Sequence, residues 1–220
     1  MIVSRDEFEK QRAAGGLYIA LIGMSSVGKS HRANELVRKL KWQCWSVDEK
    51  IAARIAASLP VADVHGLAEW MQTPDTAGYA ERETTYLDLE NDETRAAVPN
   101  ATDNFVLDTT GSSVYLPDET LDELRSRYLI VHLSANKEKL TQMVKRYFET
   151  PKPVVWGPAY EPRNDENAAD SLRRCYPQLL DWRMKKYNEL ADVTISGWNG
   201  KHEKHSPDAF LDMIRDKLAA

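Results

Sequence analysis

The chain has 220 residues, of which 42% are hydrophobic and 29% are charged, and its formal net charge is -5. This length predicts one domain over residues 1–220, with a single core and at most a small lid. Because no basic block offsets the negative charge and no apolar run reaches membrane-spanning length, we expect no binding to nucleic acid or membranes.

The N-terminal segment MIVSRDEFEKQRAAGG carries charges throughout and lacks the apolar core of a signal peptide. The chain has two cysteines, Cys44 and Cys175, which are too few for a disulfide framework. Both observations predict a cytoplasmic protein with reduced thiols. We expect a monomer or a weak dimer.

Apolar runs alternate with helical patterns along the chain. The apolar runs predict strands at 17–23, 42–47, 104–108, 128–133 and 192–195. The helical patterns lie at 5–13, 29–40, 48–57, 77–90, 118–127, 136–148, 170–190 and 207–218. We expect Pro177 to break or kink the helix at 170–190. The alternation predicts an α/β fold of three layers, in which helices cover both faces of a five-stranded parallel sheet.

One long segment, residues 149–167, interrupts this alternation. It reads ETPKPVVWGPAYEPRNDEN and holds four prolines and mixed charges. Loops of this length in compact domains are usually lids or disordered. We therefore predict a lid at about 149–167, called the proline-rich segment below.

The segment GMSSVGKS, residues 23–30, follows the first predicted strand and fits the phosphate-binding pattern G-x-x-x-x-G-K-[ST]. Gly23 lets the chain turn sharply, and Gly28 lets backbone amides approach a phosphate at a helix N-terminus. Lys29 can reach the β and γ phosphates, and the Ser30 hydroxyl can bind Mg²⁺. We therefore expect ATP to be bound by Gly23, Ser25, Ser26, Val27, Gly28, Lys29, Ser30 and His31.

Three further residues follow predicted strands or end them, where α/β proteins bind their ligands. Asp48 could orient an acceptor hydroxyl and take its proton, or cap a helix. Asp108 could hold Mg²⁺, directly or through water, or serve as a turn residue. Gly111 could let the backbone approach an acceptor, or only make a turn.

The GTPase class is a poor match to the sequence. GTPases recognise guanine with an N-K-x-D element after a strand. The nearest segment here is NKEK at 136–139, which lacks the aspartate and begins a predicted helix.

The chain resembles the shikimate kinases, within the nucleoside-monophosphate-kinase-like group, from about residue 17 to 195. Only the phosphate loop is specific by itself. The segments that carry the resemblance are GMSSVGKS, SVDEKI, GYAERE, TTGSSV, KPVV and WRMKKYNELADVTI.

The resemblance implies an ATP- and Mg²⁺-dependent kinase that phosphorylates a hydroxyl of a small molecule. It implies that Asp48, Arg82, Gly111 and Arg183 contact the acceptor, and that Lys152 stabilises charge on the moving phosphoryl group. Lys145 or Arg146, near the start of the predicted lid, matches an adenine-binding position, and we assign Arg146 to it, although a solvated helix end also explains both residues. Arg183 could instead make an ion pair on a helix surface.

The chain departs from the family pattern at six positions, which are Ser46, Ala80, Ser112, Ser113, Lys152 and Lys185. Two forked guanidinium groups hold an acceptor carboxylate best, and only Arg183 clearly matches such an arginine. The resemblance therefore supports the fold and phosphoryl transfer better than it supports shikimate as the acceptor. Two alternatives stay open: a nucleoside or nucleotide kinase, and a nucleotide-binding sensor or regulatory ATPase without a metabolite acceptor.

Overall fold

A computed structural model describes residues 3–150, 153–198 and 206–219. Its strands are β1 (Tyr18–Ile22), β2 (Gln43–Ser46), β3 (Phe105–Asp108), β4 (Leu129–Ala135) and β5 (Val193–Trp198). Its α-helices are α1 (Arg5–Ala14), α2 (Lys29–Leu40), α3 (Val47–Arg54), α4 (Val64–Met71), α5 (Tyr79–Ala96), α6 (Asp118–Arg127), α7 (Lys137–Glu149), α8 (Ala168–Leu190) and α9 (Pro207–Arg215). Short 3₁₀ turns lie at Ala56–Ser58, Ser113–Tyr115 and Gly157–Ala159.

The five strands form one parallel sheet in the order β2-β3-β1-β4-β5. Every residue of β3 is buried, and neighbouring side chains of a strand point to opposite faces, so helices cover both faces of the sheet. The predicted α/β fold with a five-stranded parallel sheet is confirmed. The register pairs Asp108 with both Leu21 and Ser46, so the carboxyl ends of β1, β2 and β3 lie side by side.

Three helices differ from the sequence-based prediction. α4 was not predicted; its start is marked by Asp63, whose side chain accepts hydrogen bonds from the backbone N–H groups of His65 and Gly66. α5 continues to Ala96, beyond the predicted end at residue 90. We predicted that Pro177 breaks or kinks α8; a break is wrong, because the helix runs through this residue. Proline removes one backbone donor, and packing of a long buried face offsets that loss.

The described part of the proline-rich segment is packed onto the protein. Val154, Val155 and Trp156 are buried, and Trp156 is fully enclosed. The hydroxyl of Tyr79 donates to the carbonyl oxygen of Val154 at 2.8 Å. The carboxylate of Glu83 accepts hydrogen bonds from the backbone N–H groups of Trp156 and Gly157 at 2.6 and 3.0 Å. Side chains of α5 therefore hold this segment by hydrogen bonds to its backbone.

Within the described ranges, no helix is both long enough and apolar enough to cross a membrane. Cys44 and Cys175 are free thiols.

The burial of Trp156 predicts a large stability effect. Trp156→Ala should lower the free energy of unfolding by about 3–5 kcal/mol, because the ring would leave a cavity among Tyr147, Tyr160 and Tyr176. Trp182→Ala is the matched control. Because Trp182 is 36% exposed, this substitution should lower the free energy of unfolding by only about 1 kcal/mol. Urea unfolding followed by circular dichroism measures both. Equal losses in the two variants would contradict the packed arrangement.

Candidate active site

The phosphate loop joins β1 to α2 through two backbone conformations that favour glycine. Gly23 has φ 135°, and a Cβ atom there would lie 2.8 Å from the carbonyl oxygen of Leu133. Gly28 has φ 107° and caps the N-terminus of α2. Ser26 also lies in the left-handed region, with φ 66°. The loop therefore takes the shape in which successive backbone N–H groups can face an anion.

Lys29 is the first residue of α2 and is only 6% exposed. Its ammonium group donates to the carbonyl oxygens of Gly23 at 2.8 Å and Met24 at 3.2 Å. These bonds hold the positive charge inside the curve of the loop, beside the helix N-terminus. Both features favour an anion at this place.

Asp108 ends β3 beside the phosphate loop and is 4% exposed. Burial raises the pKa of its carboxyl group to about 6. The charge of Lys29 and a hydrogen bond with Ser30 lower this pKa, and the charges of Asp48 and Glu49 raise it. Its Oδ1 atom is buried without a hydrogen-bond partner among the described residues. An unpartnered carboxylate oxygen next to the Ser30 hydroxyl fits the oxygen ligands that Mg²⁺ prefers.

No group of three or more His, Cys, Asp or Glu side chains in the described residues is placed to hold a metal ion. A hard cation at Asp108 and Ser30 would therefore take its remaining ligands from phosphate oxygens and water, as Mg²⁺ usually does.

The carboxyl ends of β1, β2 and β3 open into a cavity of about 480 Å³. Its wall brings together predicted residues from four separate parts of the chain. The lining residues are Ser25, Ser26, Gly28, Lys29, Ser30, His31, Ser46, Asp48, Glu49, Val64, Tyr86, Gly111, Lys139, Arg146 and Pro153.

Several predicted site residues lie outside this wall. Gly23, Val27 and Asp108 are buried behind it. Arg82 and Arg183 are not among its described lining residues. Lys152, predicted to stabilise transferred charge, lies outside the described residues.

Asp48 lies in the first turn of α3, one residue after the helix begins at Val47. It therefore does not occupy the capping position, which belongs to Ser46. The hydroxyl of Tyr86, on α5, donates to its carboxylate at 3.0 Å. Tyr86 thus fixes the orientation of a carboxylate that lines the cavity.

Gly111 lies in close contact with the phosphate loop. A Cβ atom at this position would lie 2.5 Å from Oγ and 3.0 Å from N of Ser25, so no other residue fits without movement. The Gly111 carbonyl oxygen accepts hydrogen bonds from Arg183 Nη1 at 2.7 Å and from the Tyr187 hydroxyl at 2.6 Å. α8 therefore presses this loop against the phosphate loop.

Arg183 is buried rather than exposed on α8, so the surface ion pair considered from the sequence is wrong. Besides Gly111, its guanidinium group donates to the carbonyl oxygen of Val155 and lies 5.2 Å from the centre of the Tyr115 ring. Arg183 thus joins the Gly111 loop to the proline-rich segment.

Arg82 also makes contacts within the protein. Its guanidinium donates to the carbonyl oxygens of Met71 and Ala77, both at 3.1 Å, and to the side chains of Gln72 and Thr76. These bonds tie the end of α4 to the start of α5.

Glu90 is a functional candidate that the sequence did not reveal. It is fully buried on α5, and its carboxylate accepts hydrogen bonds from the hydroxyls of Thr110 and Ser112, the latter at 2.6 Å. Burial raises its pKa to about 7, and the two hydroxyls lower it. The signal in the sequence was the pair of hydroxyl residues flanking Gly111, which need a partner when buried.

Comparisons with known proteins agree with this architecture. No protein-family profile matches the chain. A shikimate kinase of Legionella pneumophila (strain Corby) is 28% identical over 178 residues, covering 80% of this chain and 83% of that protein. A shikimate kinase of Methylococcus capsulatus is 26% identical over 189 residues, covering 86% of each.

The chain is a distant homologue of the shikimate kinases. The structure of an Acinetobacter baumannii shikimate kinase in complex with shikimate matches 94% of this chain and 99% of that chain, with TM-score 0.58 and 20% identity. A shikimate kinase from Bacteroides thetaiotaomicron matches 91% and 97%, with TM-score 0.55 and 15% identity. The fold is therefore shikimate kinase-like, and the predicted resemblance is confirmed.

The buried carboxyl group of Asp108 predicts a pH-dependent difference in stability. The folded protein holds the Asp108 proton more tightly than the unfolded chain, because the pKa rises from 3.8 to about 6. Wild-type stability is therefore lost relative to Asp108→Asn as the pH rises from about 4 to about 6. Between about pH 4 and pH 7 the stability difference should move in favour of the variant by about 3 kcal/mol.

Urea unfolding of wild type and Asp108→Asn at pH 4.5, 5.5 and 7 measures this difference. A constant difference across the three pH values would contradict the raised pKa.

Proposed function

We propose that this protein is an ATP-dependent kinase that transfers the γ-phosphate of ATP to a hydroxyl of a small molecule. The observation that carries the proposal is that the phosphate loop and Asp48 line the same cavity. Distant homology to shikimate kinases supports the same reaction class.

The nucleotide half of the proposed reaction uses residues 23–30. Their backbone N–H groups would bind the phosphates, and the Lys29 ammonium would offset charge on the transferred group. Ser30 and Asp108 would hold Mg²⁺, directly or through water; when bound, the ion neutralises phosphate charge. Arg146, on the cavity wall, would contact the adenine.

The acceptor half uses the opposite wall of the cavity. Asp48 would orient the acceptor hydroxyl and accept its proton, while Tyr86 keeps the carboxylate in place. The Gly111 backbone would contact the acceptor. In this proposal Arg82 and Arg183 position the wall from behind, and Lys152 would stabilise charge during transfer.

The proline-rich segment would act as a lid that stays packed over the site during turnover. Pro153 already lines the cavity. Its contact would exclude water and so suppress hydrolysis of ATP. The reaction is proposed to take place in the cytoplasm.

Lys29→Met should weaken binding of magnesium-complexed ATP by a factor on the order of 100, because the buried ammonium would be lost from the phosphate site. Lys39→Met is the control: Lys39 lies near the other end of α2, is exposed and pairs with Glu35. Isothermal titration calorimetry measures both affinities. Unchanged affinity in Lys29→Met would refute the phosphate site.

Asp48→Asn should lower acceptor-dependent ADP release at least 100-fold and leave ATP affinity within about threefold, because the amide cannot take the hydroxyl proton. Asp88→Asn, at an exposed position on α5, should change neither quantity. A coupled assay over a panel of hydroxyl compounds supplies the rates. ATP hydrolysis that no acceptor stimulates would instead favour a regulatory ATPase.

A further inference from the structure

The loop that contains Gly111 is held from two sides by buried charged side chains. From α8, the guanidinium of Arg183 and the hydroxyl of Tyr187 donate to the Gly111 carbonyl oxygen. From α5, the carboxylate of Glu90 accepts hydrogen bonds from the hydroxyls of the two residues that flank Gly111. Gly111, which lines the cavity, therefore lies between a buried guanidinium and a buried carboxyl group.

The two flanking hydroxyls also bind each other and the backbone. Thr110 Oγ1 accepts a hydrogen bond from the Ser112 backbone N–H at 3.0 Å and lies 2.9 Å from Ser112 Oγ. Thr110 donates to Oε1 of Glu90, and Ser112 donates to Oε2 at 2.6 Å. Through these bonds one carboxylate fixes the chain on both sides of Gly111. Ser112 is also one of the positions at which the chain departs from the shikimate kinase pattern.

Glu90 shares its helix face with the residue that holds Asp48. Tyr86 lies four residues before Glu90 on α5, so the two side chains are neighbours on the helix surface. Tyr86 donates to the Asp48 carboxylate, and Glu90 binds the hydroxyls beside Gly111. One face of α5 therefore positions both groups that would contact the acceptor.

A carboxyl group at this place is costly for the fold. Glu90 is fully buried, and burial disfavours its charged form. The two hydroxyl donors and the charge of Arg183 offset part of that cost. If the wall only needed filling, an apolar side chain of similar size would serve at equal or lower cost. The retained carboxyl group therefore indicates a demand for fixed geometry beside Gly111.

We propose that Glu90 is a positioning residue, whose carboxylate holds the Gly111 loop in the arrangement that receives the acceptor. This inference rests on the proposed kinase function and assigns to it a residue that acts through its neighbours. Each oxygen of Glu90 accepts one hydroxyl, so protonation of either oxygen would force one hydroxyl to turn round. The ionised form is therefore the one that holds the loop.

Use of the acceptor should depend on the ionisation of Glu90. Burial raises its pKa to about 7, so the carboxylate forms between about pH 6 and pH 8. The charged and titratable groups that interact with it are Asp48 on α3, Tyr86 on α5, and Arg183 and Tyr187 on α8. A variant that keeps all four of these groups and removes only the ionisation of Glu90 isolates its contribution.

The test compares wild type with Glu90→Gln, which keeps the shape of the side chain and cannot ionise. A coupled ADP-release assay at saturating ATP gives kcat/KM for the most active of shikimate, glycerol, glucose and uridine. The ratio of wild type to variant should rise about tenfold from pH 6 to pH 8.5, as the ionised fraction of Glu90 rises from about one tenth to nearly all. Isothermal titration calorimetry should give affinities for magnesium-complexed ATP that agree within about threefold.

Glu93→Gln is the matched control. Glu93 lies one turn further along α5, is also buried, and contacts Arg54 at 3.4 Å rather than the Gly111 loop. Its ratio to wild type should not change with pH. Ser112→Ala removes one hydroxyl partner of Glu90, so it should lower acceptor kcat/KM in wild type and cause little further loss in Glu90→Gln.

The possible outcomes separate this inference from the kinase function. A pH-independent ratio of wild type to Glu90→Gln, or an equal loss of ATP affinity, would overturn the role of Glu90 and leave the kinase function standing. If Glu90→Gln failed to fold, Ser112→Ala would decide: an unchanged acceptor kcat/KM would overturn the inference. Absence of acceptor-stimulated ADP release with every compound, despite tight ATP binding, would overturn the kinase function and the role of Glu90 with it.

Discussion

The close approach of Gly111 to Ser25 is the constraint on which the site depends. This contact leaves no room for a side chain, so the loop after β3 and the phosphate loop after β1 share one surface. Arg183 and Tyr187 hold the Gly111 carbonyl from α8, and Glu90 holds the flanking hydroxyls from α5. A single peptide therefore fixes the spacing of the two loops, which in the proposed reaction would set the distance between ATP and the acceptor. Such fixed spacing is what in-line phosphoryl transfer requires of a protein.

The site is built at a cost in stability. Asp108 and Glu90 are carboxyl groups in buried positions, and burial raises the pKa of both. Glu90 is compensated by two hydroxyl donors, whereas one oxygen of Asp108 has no described partner. Buried polar groups left without partners cluster at functional sites, because a ligand completes them. Glu90 would therefore support the cavity wall, whereas Asp108 would face a metal ion.

The sequence predicted the parts of this protein that local pattern determines. β1 and the glycines of the phosphate loop were identifiable because apolar runs and left-handed turns leave clear residue signals. The contact of Tyr86 with Asp48 was not, since it joins residues 38 positions apart on different helices. The burial of Arg183 was not predictable for the same reason, and it rules out only the alternative of an ion pair on the helix surface. Pro177 shows the opposite case, in which a strong local rule is overridden by long-range packing.

The attachment of the proline-rich segment has a kinetic consequence. Trp156 is fully enclosed, and Glu83 accepts bonds from two successive backbone N–H groups beside it. Moving this segment away from α5 would expose the indole ring and leave a carboxylate to be solvated, so it amounts to partial unfolding rather than rotation about a free hinge. Substrate entry and product escape would then take place at the cavity mouth between α3 and α7, and turnover need not wait for the tryptophan to leave its pocket.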